Sequence, residues 1–240
     1  MAILKVGEAQ KASDASTSSL SITYTSTTGN LLCVVVRTPN SDGTITTSMT
    51  DGTNVFFPIG RVNNSAGAPS VSLQSFYAYN ITGTASPIVV TFSSAMDFVW
   101  AFVVEFSGIA TVSPLDAHTE TATAATAPLS TASITTTQAN TALVIAASQP
   151  AFATYTAAGA YTIIDGTITD VLGGFGGVAY QIASGIVSGA QTITSNDNTV
   201  ISAVLVAAFS DTAIVSTSKV QSTAGIASAL GSGFLGGMNM

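Results

Sequence analysis

The sequence predicts an all-β protein of the β-sandwich or jelly-roll type with an internal pseudo-duplication, an extended N-terminal arm and a glycine-rich C-terminal tail. Three observations predict this class. Apolar residues alternate with polar ones at the period of two that is typical of half-buried strands. Turn-forming residues recur roughly every 8–12 positions, which is the spacing found in sandwiches and barrels. Residues 21–106 and 133–209 show the same order of strand signatures.

The alternation is clearest between residues 71 and 81, where the odd-numbered positions are apolar except for Ser75. The same pattern occurs between residues 20 and 24. Turn formers that tolerate positive φ separate such runs, for example Asp51 and Gly52. These signals predict short antiparallel strands joined by tight loops.

The duplication rests on matching segments in the two stretches. Tyr79 is matched with Tyr180 and Phe106 with Phe209, so the apolar positions of the strands are kept. Glu105 has no polar counterpart. We therefore expect that a scaffold was duplicated and that no site is present in both copies. The matched segments are 21–23 with 133–135, 30–36 with 140–146, 77–81 with 178–182, and 101–107 with 204–210.

The chain divides into five parts. They are an N-terminal arm (1–14), a first sandwich half (15–112), a connector (113–128), a second half (129–213) and a tail (214–240). The connector lacks alternation and is bounded by prolines; the alternative is a crossover within one continuous sandwich. Each half ends in its most apolar strand, as expected for a strand in the sheet centre.

The composition argues against several classes of function. Only 7% of the 240 residues are charged, 47% are hydrophobic, and the net charge is −7. Nucleic-acid binding and docking on an anionic membrane are not expected, because no Lys/Arg cluster is present. No apolar run reaches the ~18 residues of a membrane-spanning helix. The N-terminus lacks an apolar stretch of signal-peptide length, which predicts synthesis in a cytoplasm and release, if any, by lysis.

Residues that could support catalysis are few. His118 is the only histidine and lies beside acidic residues without a nucleophile motif, so we predict an exposed loop histidine. Cys33 is the only cysteine and lies in an apolar run, which indicates a core thiol. Glu105 is the best candidate for a glycosidase carboxylate, although alternation favours a solvated or edge-capping position. We therefore predict no enzyme activity, no cofactor and no zinc site.

A hard cation such as calcium, bound in oxygen-rich loops, is a better-founded possibility than catalysis. The same residues are what tight turns require, and none shows the spacing of a calcium-binding loop, so turns are the preferred interpretation. Residues 173–177 resemble a phosphate-binding loop in composition alone and are predicted to form a hairpin loop. The candidate cation ligands are Asn40 and Asp42, Asp51 and Asn54, and residues 196–198.

Aromatic residues are candidates for a sugar-stacking surface. Trp100 lies in the most apolar strand and is expected in the core. A platform in the first half would combine Trp100, Phe76, Tyr77 and Tyr79. The better candidates for exposure do not cluster in the sequence, and they are Phe56, Tyr155 and Tyr161.

The last 19 residues, 222–240, are small, apolar, glycine-rich and uncharged. Ordering such a tail costs ~1–2 kcal/mol of backbone entropy per residue, which contact with a neighbouring subunit would offset. The residues predicted in these subunit contacts are Ile226, Leu230, Phe234, Leu235 and Met238.

Five loose turn-and-strand signatures occur in order at residues 51–56, 77–81, 90–92, 104–109 and 114–116. Together they resemble a module of tailed-bacteriophage structural proteins and of some large bacterial surface proteins, over roughly residues 20–212. The resemblance implies a virion component: a capsid decoration protein, a head or tail fibre, or a tail-associated subunit. The low charge and the apolar tail depart from that pattern.

The predicted function is therefore that of a non-enzymatic virion protein, which assembles in the host cytoplasm with copies of itself and with other virion proteins. The alternative is a carbohydrate- or receptor-binding sandwich at a fibre tip, with a host surface glycan as partner. A glycoside hydrolase or lyase is a third hypothesis and lacks a visible carboxylate pair.

Overall fold

Sixteen antiparallel strands and no helix make up the described part of the computed structural model. The described residues are 1–39, 47–65, 70–123, 128–149, 153–165, 176–197 and 202–213. The first eight strands are β1 (Leu4–Ser13), β2 (Thr17–Ile22), β3 (Leu31–Thr38), β4 (Thr47–Thr50), β5 (Phe57–Asn64), β6 (Val71–Ala78), β7 (Ile88–Met96) and β8 (Val99–Ser107). The others are β9 (Leu115–Thr123), β10 (Leu129–Thr135), β11 (Thr141–Ser148), β12 (Tyr155–Ala157), β13 (Thr162–Asp165), β14 (Gly176–Ala183), β15 (Ser188–Ser195) and β16 (Ser202–Ser210).

The strands form four sheets, two from each half of the chain. The first half gives a five-stranded sheet, β1-β8-β3-β6-β5, and a three-stranded sheet, β2-β7-β4. The second half gives β9-β16-β11-β14-β13 and β10-β15-β12. The second pair of sheets repeats the strand order of the first, with every strand number raised by eight.

The four sheets stack in the order three, five, five and three strands, because the two five-stranded sheets pack face to face. Successive residues of β3 show this directly: Cys33 and Val35 face the second half, whereas Val34 and Val36 face the three-stranded sheet of their own half. Another apolar layer lies between the five-stranded and the three-stranded sheet of the second half. The all-β sandwich prediction is confirmed, and residues of both halves form the apolar layer between the two five-stranded sheets.

This stacking explains the apolar character of the central strands. Every described residue of β3, β11 and β16 is buried, as are the first eight residues of β8. A strand that is covered on both faces cannot alternate apolar and polar residues, and therefore becomes an almost continuous apolar run.

Two glycines allow aromatic rings to approach the backbone of β14. A Cβ atom on Gly176 would lie 2.3 Å from the Trp100 ring, and one on Gly177 would lie 2.5 Å from Cβ of Tyr155. The absence of side chains on both faces lets the rings pack directly on the strand. These two glycines begin a strand and do not form the predicted hairpin loop; residues 173–175 lie outside the described residues.

The predicted arm and connector both contain strands. Residues 4–13 form β1, which pairs with β8, and Leu115–Thr123 form β9, which pairs with β16. Both are edge strands with many half-exposed positions, so neither carries the apolar pattern that marks a strand in the sequence. Their backbone hydrogen bonds to a neighbouring strand, and not their side chains, place them in the sheets.

The pairing registers also correct the predicted alignment of the halves. Phe106 corresponds to Phe209 in the second half. Phe106 pairs with Leu31 and Phe209 pairs with Ala142, so Leu31 corresponds to Ala142. The sequence pattern instead matches Leu31 with Thr141. In a strand that is apolar on both faces, a shift of one residue changes no pattern, so the sequence cannot reveal it.

The counterpart of Tyr180 changes for a related reason. Tyr180 pairs with Val144, and Tyr77 pairs with the equivalent residue Cys33, so Tyr180 corresponds to Tyr77 and not to Tyr79. A shift of two residues preserves the alternation and is therefore invisible in the pattern.

Candidate functional site

Glu105 is the most deeply buried carboxylate in the described residues and fastens a loop. Its side chain has no solvent exposure. The Tyr24 hydroxyl donates to Oε2 at 2.7 Å, the Thr27 amide donates to Oε1 at 3.0 Å, and Asn30 Nδ2 donates to Oε1 at 2.5 Å. All three donors lie in the loop between β2 and β3, so one carboxylate holds that loop against the end of the sandwich.

The solvated position predicted for Glu105 is therefore wrong. Alternation does place its side chain opposite Val104 and Phe106, but β8 is covered on both faces. Burial raises the pKa of the Tyr24 hydroxyl above its usual range, and the hydrogen bond to Glu105 raises it further. The hydroxyl consequently stays protonated and keeps donating to Glu105.

A second carboxylate fastens the neighbouring loops. Asp51 is buried and accepts hydrogen bonds from the amides of Thr53 and Asn54 and from Asn54 Nδ2 at 2.9, 2.7 and 2.6 Å. Asn54 in turn exchanges two hydrogen bonds with the backbone of Thr82. The side chains proposed as cation ligands thus close a turn and tie it to the loop between β6 and β7.

The second half uses a third carboxylate in a comparable way. Asp116 on β9 accepts hydrogen bonds from the amide and hydroxyl of Thr137 and from the amide of Gln138. These residues belong to the loop between β10 and β11, which is the counterpart of the loop that Glu105 holds. The position equivalent to Glu105 is Ala208. The loop is therefore held by a carboxylate of β8 in the first half and by one of β9 in the second half.

Of the remaining cation candidates, the structure describes residues 196 and 197. Asn196 Oδ1 accepts a hydrogen bond from the Thr154 amide at 2.7 Å, which closes a loop. Within the described residues, no group of three or more His, Cys, Asp and Glu side chains is placed to hold a metal ion. Asn40, Asp42 and Asn198 lie outside the described residues.

His118 lies on a strand and not in the predicted loop, although it is exposed as expected. Its Nδ1 atom is 2.9 Å from Oε1 of Glu120, two residues further along β9. Glu120 lies over β5, where a Cβ on Gly60 would be only 1.4 Å from its Oε1 atom. The pair helps β9 to cover β5 and has no nucleophile among its hydrogen-bond partners.

Cys33 is a core thiol, as predicted. It is 1% exposed in the layer between the two five-stranded sheets, and burial raises its pKa to about 12. Arg37 is also buried on this face of β3, although it follows directly after the apolar run 31–36, and it donates from Nη1 to the carbonyl oxygen of Phe98. Burial lowers the pKa of Arg37 to about 10.

The buried thiol predicts a loss of stability at alkaline pH. The folded pKa of Cys33 is raised from 9.0 to about 12, so the unfolded chain loses its thiol proton first and stability falls as pH rises above 9.0. We expect the urea concentration at the unfolding midpoint to be lower at pH 10 than at pH 8, which are about one unit either side of the unperturbed thiol pKa. In Cys33→Ala the difference between the two midpoints should be smaller. An equal decrease in both proteins would show that the thiol is not buried.

The aromatic residues form a different surface from the one predicted. Tyr77 and Tyr79 are half-buried and cluster with Phe57, which the sequence did not single out. Trp100 is in the core as expected, and Phe56 is half-buried. The residues expected to be exposed or to join a platform but found buried are Tyr155, Tyr161 and Phe76.

Two open clefts of about 470 and 450 Å³ lie side by side at one end of the stack. Both are bordered by Asp211, whose Oδ2 atom accepts a hydrogen bond from Asn140 Nδ2 at 3.1 Å. Ile3 and Ile182 line the first cleft, and Gly29 and Gly108 line the second.

The five residues predicted in tail contacts, Ile226, Leu230, Phe234, Leu235 and Met238, lie outside the described residues. In the part of the chain that the structure describes, there is no helix long and apolar enough to cross a membrane. No family model, no curated protein and no solved structure matches this chain.

Proposed function

We propose that this chain is a non-enzymatic structural subunit of a bacteriophage virion, such as a capsid decoration protein, a fibre or a tail-associated subunit, and that it acts through assembly with copies of itself. The observation that carries the proposal is the use of the carboxylates. Glu105, Asp51 and Asp116 each accept hydrogen bonds from loop residues, so these three carboxylates stabilise loops of the fold.

Assembly is supported by the exposed edge of the first five-stranded sheet. β1 lies at that edge and carries two exposed apolar side chains, Leu4 (59% exposed) and Val6 (48%). An edge strand presents unpaired backbone groups, and apolar side chains on it favour pairing with another chain. The resemblance of the turn-and-strand signatures to virion modules supports the proposal that the assembly is a virion.

Light scattering coupled to size exclusion tests the proposal. We expect the full chain to elute as a defined multiple of 24.0 kDa. Val6→Lys on the edge strand, and separately removal of residues 214–240, are each expected to shift the population towards the monomer. Val55→Lys is the matched control, because Val55 is 67% exposed on a different part of the surface. A monodisperse monomer for the full chain would overturn the proposal.

A second candidate, the carbohydrate-binding module, is favoured by one specific observation. Three aromatic rings cluster at the surface of the first half, and their arrangement supports a ligand site that does not depend on the assembly proposal.

A further inference from the structure

The rings of Phe57, Tyr77 and Tyr79 form a compact group on the first five-stranded sheet. Phe57 on β5 pairs with Tyr77 on β6, and Tyr79 follows two residues later, so the three side chains share one face. The ring centroids are 5.6 Å apart for Phe57 and Tyr77, 5.6 Å for Phe57 and Tyr79, and 5.8 Å for the two tyrosines. We call this group the aromatic cluster.

The inner side of the aromatic cluster is fixed by the core. Tyr77 contacts Phe209 of the second half with a centroid distance of 5.7 Å, and both tyrosines pack against the layer between the five-stranded sheets. On the outer side, Phe57 is 39% exposed. Rings that are already held in place lose little conformational entropy when a ligand binds, which makes such a surface suited to recognition.

The composition of the ring-bearing segments favours one class of ligand. Residues 52–58 and 76–82, which carry the three rings, contain no Asp, Glu, Lys, Arg or His. Burial raises the pKa of Tyr77, so its hydroxyl is neutral at physiological pH. The ring-bearing segments themselves supply no charged partner for a phosphate, carboxylate or ammonium group, which favours a neutral ligand. The carboxylate that lies over β5 is that of Glu120 at Gly60, three residues beyond Phe57.

Asn80 is the polar residue that follows the aromatic cluster in the chain. It follows Tyr79, it is exposed, and its φ of 47° lies in the left-handed region that few residues other than glycine adopt. Its amide supplies both a donor and an acceptor, which is what adjacent hydroxyl groups of a sugar require.

We propose that the aromatic cluster binds a pyranose ring of a neutral glycan. The apolar C–H face of the sugar packs on Phe57, while the hydroxyls of Tyr77 and Tyr79 and the amide of Asn80 hydrogen-bond to its hydroxyl groups. A second protein chain is the other possible occupant of an aromatic surface. The lack of charged residues in the ring-bearing segments favours the sugar, and the experiment distinguishes the two.

The test uses the full chain and four neutral hexaoses: maltohexaose, cellohexaose, mannohexaose and N-acetylchitohexaose. We expect calorimetric titration to show binding of at least one at millimolar or lower concentration. Phe57→Ala should weaken that binding about tenfold or more, and Phe57→Tyr, which keeps a ring, should largely retain it. Phe98→Ala is the matched control, because Phe98 is similarly exposed (41%) and forms no part of the cluster.

Four results would overturn the proposal. None of the four hexaoses binds at millimolar concentration; Phe57→Ala binds as tightly as the unchanged protein; or Phe98→Ala loses as much affinity as Phe57→Ala. The fourth is a decrease in the molar mass of the protein on Phe57→Ala, which would identify the cluster as a contact between protein chains. Near-ultraviolet circular dichroism of each variant verifies that it is folded.

Discussion

Val144→Asp is expected to destabilise both halves of the protein together, by about 4 kcal/mol or more. Val144 has no solvent exposure and lies in the apolar layer between the two five-stranded sheets. A carboxylate there would have no partner, and burying an unpaired charge costs several kcal/mol of a domain stability that is typically 5–15 kcal/mol. The measurement is urea unfolding followed by the fluorescence of Trp100, which lies in the other half.

Trp100 is informative because it packs on Gly176, so the only tryptophan reports on the contact between the halves. Val55→Asp provides the control, since its side chain is 67% exposed and the change should alter stability by no more than about 0.5 kcal/mol. If Val144→Asp left the Trp100 transition unchanged, the two halves would not share an apolar layer.

Glu105→Ala is expected to lower the free energy of unfolding by about 3–5 kcal/mol. The change removes a buried acceptor of three hydrogen bonds and leaves its donors without that partner. Tyr24, Thr27 and Asn30 would lose their shared partner. We also expect faster hydrogen exchange in residues 23–30, because that loop would no longer be fastened.

Two further variants make this result specific. Ala208→Glu places the same carboxylate at the corresponding position of the second half, which is fully buried, and should destabilise strongly for want of donors. Glu8→Gln removes a partly exposed carboxylate that pairs with Lys5, and should cost no more than about 1 kcal/mol. Equal losses for Glu105→Ala and Glu8→Gln would contradict the anchoring role.

The fold class could be predicted from the sequence because alternation and turn spacing follow directly from strand geometry. The edge strands could not. Residues 4–13 and Leu115–Thr123 are held by backbone pairing and present few buried side chains, so they carry little apolar signal. The registers of β3 and β11 were also invisible, because strands covered on both faces look alike after a shift of one residue.

The burial of Glu105 and Arg37 could not be predicted from the sequence. Glu105 interrupts an apolar run, which marks it in the sequence, whereas Arg37 follows the end of the apolar run 31–36. Only the stacking of the sheets shows that both faces of these strands are buried, and therefore that neither charge reaches solvent. A charged residue inside an otherwise continuous apolar strand therefore indicates a buried, hydrogen-bonded group.

The aromatic cluster combines residues that are distant in the sequence. Tyr77 and Tyr79 were recognised as candidates, but Phe57 joins them only through the pairing of β5 with β6. Trp100, the most prominent aromatic in the sequence, packs on Gly176 in the core. Cross-strand neighbours of this kind follow from register, which the sequence did not determine.

Hydrogen exchange measured at increasing urea concentration is the most direct test of the central claim, that the two halves share one core and unfold as one unit. β3 (Leu31–Thr38) and β11 (Thr141–Ser148) each lie at the centre of a five-stranded sheet, one in each half. We expect their amides to show the same free energy of opening and to lose protection together. Opening of β11 at a distinctly lower free energy, while β3 stays protected, would contradict the account.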